Sequence, residues 1–405
     1  MARVILVAGK GGVGKTTVAS ATGLACARHG HRTIILSFDL AHSLADSFDL
    51  GAELFHTKQG SPIRIAENLE ILEIDLQVEL ERHWNDIYSY FARLLAGGGL
   101  DEVVAEEVAV MPGMEDLVAL LRLNEIIRAS SYDVVVLDAP PTGESLRFVT
   151  IYSTLDWYAR KRLNTDRKLF QFLRPLTKVV PIPGLDIPDD VYFVALQQLF
   201  EGLDGIEELL RNSEVTTVRL VTTPDKMVMR ETQRAFAYFS LYGMTCDTVV
   251  VNRLLPDNEA YFSEWSRLQA EHSRDIEMQF APVPTTRIPL MHDEVVGLER
   301  LQALTEILYG TKDPATVFAK PSACEFETLP GGNYLMSVHL PFVPKEQIEL
   351  SRRREDLVLR VGNFKRNILL PRTIAPLATG KTEMSGDVLK IYFSPRGVGE
   401  LGARQ

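Results

Sequence analysis

Nine residues near the N-terminus, Gly9-Lys10-Gly11-Gly12-Val13-Gly14-Lys15-Thr16-Thr17, constrain this chain more than any other stretch. They satisfy G-x-x-x-x-G-K-[ST], with the apolar run Val4–Ala8 before them and a helix predicted from Thr17 to His29 after them. The glycines let the backbone curl so that successive N–H groups point inward, toward phosphate oxygens. The helix N-terminus adds partial positive charge at the same place. Lys15 is then set to reach β- and γ-phosphates, and the Thr16 hydroxyl to ligate Mg²⁺. A strand, a glycine-rich turn and a helix in this order predict a nucleotide-binding loop rather than a merely tight connection.

Further strand-like runs occur at Thr33–Ser37, Leu69–Asp75, Val134–Asp138, Val218–Thr222 and Thr248–Val251. Several are near-continuous Val, Ile and Leu, as expected of strands buried on both faces of a parallel sheet. The reading is an α/β fold with a doubly wound, mostly parallel sheet of the P-loop NTPase type. Two segments, about 78–131 and 150–214, break the strand–helix rhythm and read as helical insertions. Packing against the sheet or each other is the favoured role for their apolar residues, with a hydrophobic client groove as the alternative.

In such a sheet ligands sit at the carboxyl ends of the strands, so the residues after each strand carry the chemistry. Asp39 comes after the second strand, where a carboxylate can orient water on a γ-phosphate; it also suits a helix N-cap. Asp138 ends an apolar strand and is expected in the Mg²⁺ shell through water. Pro141-Thr142-Gly143, just beyond it, is loop chemistry suited to sensing a γ-phosphate. Asn252 ends another strand with one donor and one acceptor, which match an adenine edge. Asp225, after Val218–Thr222, is placed for the ribose or adenine side.

Composition removes several function classes. The 405 residues are 46% hydrophobic and 24% charged, ordinary for a soluble globular chain. No apolar stretch approaches the ~18 residues of a membrane span, and the run before Gly9 is too short for a signal-peptide core. The expected location is cytoplasmic, or an organelle interior if a transit peptide has been removed. Residues 331–393 hold ten Lys/Arg against six Asp/Glu, which makes that segment +4 and leaves −15 for the rest of a net −11. An acidic body argues against nucleic acid as a partner. Cys26, Cys246 and Cys324 are scattered and form no C-x-x-C, against a zinc clasp or cluster.

After Lys312 the pattern changes. Pro314, Pro321 and Pro330 punctuate a predicted linker, 313–330. Residues 331–393 then alternate at period two, as in Tyr334-Met336-Val338-Leu340 and Leu357-Leu359-Val361, and predict a small all-β sandwich. Arg352-Arg353-Arg354 reads as the solvated face of a strand. Residues 394–405 form a tail. The expected domains are 1–312, the linker, 331–393 and the tail.

The loop form GKGGVGKT resembles the deviant P-loop ATPases, in which the extra lysine at the second position, here Lys10, reaches into a partner subunit's nucleotide. The loop, the D-x-A-H-S-L-x-D-x-F segment Asp39–Phe48 and the P-T-G-x-x-L-R segment Pro141–Arg147 together resemble the ArsA/GET family over about residues 1–310. That family comprises the arsenite-pump ATPase and the factor that targets tail-anchored membrane proteins. The resemblance implies ATP and Mg²⁺ as ligands, a homodimer, Lys10 acting in trans, Asp39 positioning the hydrolytic water, and Asp225 and Asn252 binding adenosine. Residues 331–393 resemble an α-crystallin domain of the small heat-shock type. Two motifs depart from the family: Asp39-Leu40-Ala41-His42 stands for Asp-Pro-Ala-His, and Asp138-Ala139-Pro140-Pro141 for Asp-Thr-Ala-Pro.

The function implied is a Mg²⁺-dependent dimeric ATPase that couples its nucleotide cycle to opening, closing and the handling of hydrophobic or tail-anchored clients. A membrane partner protein is not identifiable from the sequence. The rivals are the driving ATPase of an arsenite or antimonite pump, for which clustered cysteines are lacking, and an ATP-gated chaperone or scaffold with negligible turnover. The nitrogenase iron protein type, the division-site type and the plasmid-partition type lack their cysteines, amphipathic terminal helix and basic surface here.

Overall fold

A computed structural model describes residues 1–38, 43–51, 60–74, 78–79, 114–141, 190–256, 262–320, 324–353, 356–371 and 373–395. Eight strands form one sheet: β1 (Arg3–Gly9), β2 (Thr33–Ser37), β3 (Ile63–Ala66), β4 (Leu69–Glu73), β5 (Val134–Asp138), β6 (Thr216–Thr222), β7 (Cys246–Leu254) and β8 (Thr285–Pro289). Their order is β3-β4-β2-β5-β1-β6-β7-β8. The pairs β1–β5, β2–β5, β2–β4, β6–β7 and β7–β8 are parallel, and β3–β4 is antiparallel. The runs at β2 and β5 lie where the sequence put them. The short edge strands β3 and β8 carry no continuous apolar run and escaped that reading.

By compactness the chain divides into Met1–Val7, Gly14–Leu210 and Asp293–Ala315 as one unit, and Ala8–Val13, Arg211–His292 and Thr316–Gln405 as the other. The first contains β2 to β5 and most of β1. Ile5, Ile34, Ile35, Leu36, Val135, Val136 and Leu137 are all 0% exposed, so adjacent side chains on both faces are covered. Helix α1 (Lys15–Arg28) is one cover; its small residues Ala19, Ser20, Ala21 and Thr22 are buried. The Thr22 hydroxyl lies 2.6 Å from that of Tyr309, the last residue of α8 (Leu298–Tyr309). Of the first insertion, α3 (Met114–Ala129) is described, and it buries Leu117, Leu120, Leu121 and Leu123. Asn124 on α3 donates to the carbonyls of Gly202 (2.6 Å) and Asp204 (3.1 Å), which fixes the end of α4 (Asp190–Leu203). Val194 on α4 is exposed, and most of both insertions lies outside the described residues. A short helix α5 (Ile206–Arg211) comes next, with Ile206, Leu209 and Leu210 buried.

In the second unit, β6 and β7 carry a buried charge pair. Arg219 Nε lies 3.4 Å from Asp247 Oδ1, and both side chains are 0% exposed. The Thr217 hydroxyl donates to Asp247 Oδ2 at 2.9 Å. Arg219 also donates to the Thr316 carbonyl, and its guanidinium stacks 4.8 Å over the Phe318 ring. The strap that follows α8 is thereby held down on β6.

The C-terminal strands are β9 (Cys324–Leu329), β10 (Asn333–His339), β11 (Ile348–Arg353), β12 (Asp356–Val361), β13 (Phe364–Leu369), β14 (Ala378–Ser385) and β15 (Val388–Ser394). They form a four-stranded sheet, β14-β15-β10-β9, and a three-stranded one, β11-β12-β13, all antiparallel. Met336, Val338, Leu357, Leu359, Ile391 and Phe393 are fully buried and make the core. Strand β9 lies inside the segment predicted as linker. Arg352 differs from its expectation too: it donates to the carbonyls of Ala375 and Leu377 and to the Thr379 hydroxyl, and so clamps the approach to β14 instead of facing water.

This sandwich rests on helices of its own subunit, α6 (Lys226–Leu241) and α7 (Ser263–Phe280). Phe236 and Phe280 meet edge to face at 5.3 Å, and Phe342 closes the cluster at 6.1 and 5.2 Å from them. Such aromatic pairs contribute ~0.5–1.5 kcal/mol each beyond their burial. Arg366, only 3% exposed, donates to the carbonyl of Leu241 at the C-terminus of α6. A cation there completes an orphan carbonyl and meets the negative end of the helix dipole.

Candidate nucleotide site

The loop between β1 and α1 has the geometry its glycines predict. Gly12 (φ 79°) and Gly14 (φ 95°) sit in the left-handed region, and Gly14 caps the N-terminus of α1. A Cβ on Gly9 would stand 2.3 Å from the Val221 carbonyl oxygen, so only glycine allows this backbone approach. Val13 is buried and anchors the loop. Lys15 is the first residue of α1 and only 7% exposed.

Register puts the acidic partner on the same sheet edge. Asp138, the last residue of β5 and fully buried, is opposite Val7 on β1 and Ser37 on β2. The next turn is tied down: Phe38 N–H donates to the Asp138 carbonyl at 3.0 Å, and Ala139 N–H to that of Val7 at 3.1 Å. The chain leaves β2 at this edge, and Asp39 comes directly after Phe38. Asp39 lies outside the described residues, as do Thr142 and Gly143; Pro141 lies at the end of the described segment.

From Ser43 onward the chain beyond Asp39 is well anchored. The hydroxyls of Thr16 and Ser43 are 3.2 Å apart, and Ser47 donates to Ser20 at 2.9 Å. Ser43 and Ser47 begin and end the short helix α2 (Ser43–Ser47), so α2 lies along the first turns of α1. Glu73, buried at the end of β4, accepts from the Ala45 N–H at 3.0 Å. Neither Ser43 nor Glu73 was assigned a role from sequence. Ser43 sits inside the quoted D-x-A-H-S-L motif; Glu73 is an acid ending an apolar strand, the same signal that marked Asp138.

The base-side candidates are placed by β7 and α6. Asn252 Nδ2 donates to the Val13 carbonyl at 2.8 Å, and its Oδ1 accepts from the Arg253 N–H at 2.8 Å. This pattern fixes the orientation of the amide and makes Asn252 a brace on the phosphate loop. Arg253, at φ 60°, turns the backbone sharply just beyond it. Asp225 occupies the N-cap position of α6 and accepts from the Thr223 hydroxyl at 2.6 Å. His272 on α7 donates through Nδ1 to the Pro224 carbonyl at 2.7 Å and steadies that turn. Lys10 Nζ lies 3.8 Å from Glu231 Oε2 on α6, a pairing within one subunit that no motif announces.

Cys26 and Cys246 are buried thiols, and burial beside Asp247 pushes that of Cys246 well above its ordinary value. Among the described residues no three His, Cys, Asp or Glu side chains are placed to hold a metal ion, and no helix is long and apolar enough to cross a membrane.

A parallel sheet with a glycine loop running into a buried lysine, and an aspartate ending the neighbouring strand, define the class: a P-loop nucleotide-binding enzyme. The particular family emerges from comparison with known proteins. Residues 2–310 match the family described as anion-transporting ATPase, and residues 331–393 match an HSP20-like domain found in ArsA. This chain belongs to the anion-transporting ATPase family, and it is an ATPase. It is 41% identical over 97% of its length to the whole of an Aquifex aeolicus protein named "Putative arsenical pump-driving ATPase 1". It is 34% identical to a similarly named protein of Chlorobaculum tepidum, over 96% of each chain. It is 23% identical to ATPase GET3A of Arabidopsis thaliana, over 77% of this chain and 85% of that one.

Proposed function

We propose that this protein is a Mg²⁺-dependent ATPase, active as a homodimer, that couples ATP binding and hydrolysis to opening and closing and to the handling of hydrophobic or tail-anchored client proteins. The observation that carries the reading is the loop Gly9–Thr17, with left-handed Gly12 and Gly14 leading into buried Lys15, one strand away from Asp138. The donors there are hydroxyl and carboxylate oxygens, which suit a hard divalent cation. Thr16 would hold Mg²⁺ directly and Asp138 through water; the ion would neutralise charge on the β- and γ-phosphates.

The chain's own groups do the rest. Loop N–H groups and Lys15 bind the phosphates and favour the charge that develops on them in transfer. Asp39 orients the attacking water, and Pro141-Thr142-Gly143 report on the γ-phosphate. Asp225 and Asn252 serve the nucleoside side. Lys10 reaches the partner subunit's nucleotide on closure, which makes dimerisation a condition of hydrolysis. Support for client handling comes from the relatives named GET3.

The test is ATP hydrolysis with sedimentation for wild type, Lys10→Ala and Asp39→Asn, with and without antimonite. Wild type is expected to hydrolyse ATP as a dimer, with a flat response to antimonite. Asp39→Asn should lose on the order of 10²-fold in rate, the size of removing one group that acts in the transition state, while still binding ATP. Lys10→Ala should lose both hydrolysis and ATP-driven dimerisation. Full activity in Lys10→Ala overturns the cross-dimer role; stimulation by antimonite makes the protein a pump-driving ATPase instead.

A further inference from the structure

Lys10 is expected to serve a partner's nucleotide, but in this single chain its ammonium has a carboxylate on its own subunit, Glu231 Oε2, at 3.8 Å. Glu231 sits in the second turn of α6, the helix whose N-cap is Asp225. The pair is neither buried nor fully solvated, at 37% and 29% side-chain exposure. That is the regime in which an ion pair is weak enough to exchange partners and strong enough to bias a position.

We propose that Glu231 is a positioning residue for Lys10: it holds the lysine against its own subunit, and ATP-driven closure must exchange this carboxylate for phosphate. The inference rests on the proposed function, in which Lys10 serves the nucleotide. Two anions compete for one cation. A lysine cannot be fully paired with Glu231 and also deliver its charge to a phosphate in another subunit. The bound state therefore forms at the expense of the internal pair, and the apparent ATP affinity is lowered by the fraction of time Lys10 is held.

The geometry sets the size and the signature. A half-exposed pair of this kind biases an equilibrium by about two- to fivefold. The effect must pass through Lys10, which separates it from the general repulsion between any carboxylate and a triphosphate. It must also fade with salt, because both groups are partly exposed.

The experiment measures affinity for a fluorescent ATP analogue with Mg²⁺ in four full-length proteins: wild type, Glu231→Gln, Lys10→Ala and the double variant. Glu231→Gln is nearly isosteric on a helix surface; Glu231→Asp, which keeps the charge on a shorter arm, should fall between it and wild type. Binding should tighten about two- to fivefold in Glu231→Gln, with Lys10→Ala and the double variant equal. The gain should disappear at ~1 M salt, where the Debye length is ~3 Å. No tightening in Glu231→Gln, or the same tightening with Lys10 already removed, overturns the proposal. A Lys10→Ala protein that hydrolyses ATP at the wild-type rate is a different failure: it removes the trans role itself, and is read from turnover and not from this affinity cycle.

Discussion

In β2 and β5 every residue is buried, and in β1 every residue after Arg3, whereas β15 buries alternate residues and β14 buries none completely. The contrast is between a sheet covered on both faces and one with a wet side. A strand shut in on both faces has nowhere to present chemistry except its ends. Asp138 ends β5 opposite Val7 on β1, just before the nucleotide loop, and Ser37 ends β2 opposite Asp138. Asp247, by contrast, is the second residue of β7, near its entry end, and there its charge is taken up by Arg219 and the Thr217 hydroxyl. The position of a buried charge along a parallel strand thus separates chemistry from architecture. In the sandwich, with its open face, buried charge marks a docking seam: Arg366 is inward only where it meets α6.

Asp247→Asn tests that separation most severely. It keeps the shape but leaves Arg219 buried without its counter-charge, which is expected to cost about 3–5 kcal/mol of stability. Denaturant unfolding measures it. ATP affinity of the remaining folded protein should stay unchanged, since Asp247 is at the far end of β7 from Asn252. A loss of affinity without a loss of stability would mean that entry-end charge also serves the site.

The same contrast explains which features are legible in the sequence. The β2 and β5 boundaries were legible because a continuous Val, Ile and Leu run has one good explanation, a doubly covered strand. The nucleotide loop was legible because its glycine spacing is dictated by the turn itself. Strands β3, β8, β9 and β14 were missed because they are edge strands with few fully buried residues and no continuous apolar run. Asn252 was expected on the adenosine side from its donor and acceptor and from the family resemblance; its bonds to Val13 and Arg253 depend on where a distant loop folds, which no local pattern records. Glu231 and Arg352 are ordinary charges on a helix and a strand, and their partners are set by tertiary placement only.

The sandwich offers a milder test of the seam. Arg366→Met keeps the apolar length of the side chain but removes the charged donor to the Leu241 carbonyl. Losing a hydrogen bond made by a charged group costs about 1.5–3 kcal/mol. The loss should localise: amide exchange should quicken at Tyr242 and Gly243, whose N–H groups close the last turn of α6 onto Tyr238 and Ser240, and stay slow in β2 and β5. Uniform quickening across both sheets would show that the seam is part of a single cooperative core.

A still weaker dependence, on pH, is expected at the same seam. His339 lies at the end of β10 with its ring 6.4 Å from Phe236, and burial lowers its pKa below the ordinary 6.5, while Asp387 opposes the shift. In the unfolded chain the imidazole takes up a proton as pH drops through 6.5, and in the folded chain it resists until lower pH. The unfolded state therefore binds more protons in that interval, and stability falls as the solution is acidified. The stabilising contribution is whole above the unfolded value and is lost as pH falls below it. Because Asp387 offsets part of the burial, stability should fall only modestly from pH 7.5 to 5.5. His339→Phe, which keeps an aromatic ring against Phe236 and has no proton to take up, should flatten that part of the stability curve. If its curve falls as steeply as wild type, the acid sensitivity lies elsewhere, and the aromatic seam between the sandwich and α6 is indifferent to pH.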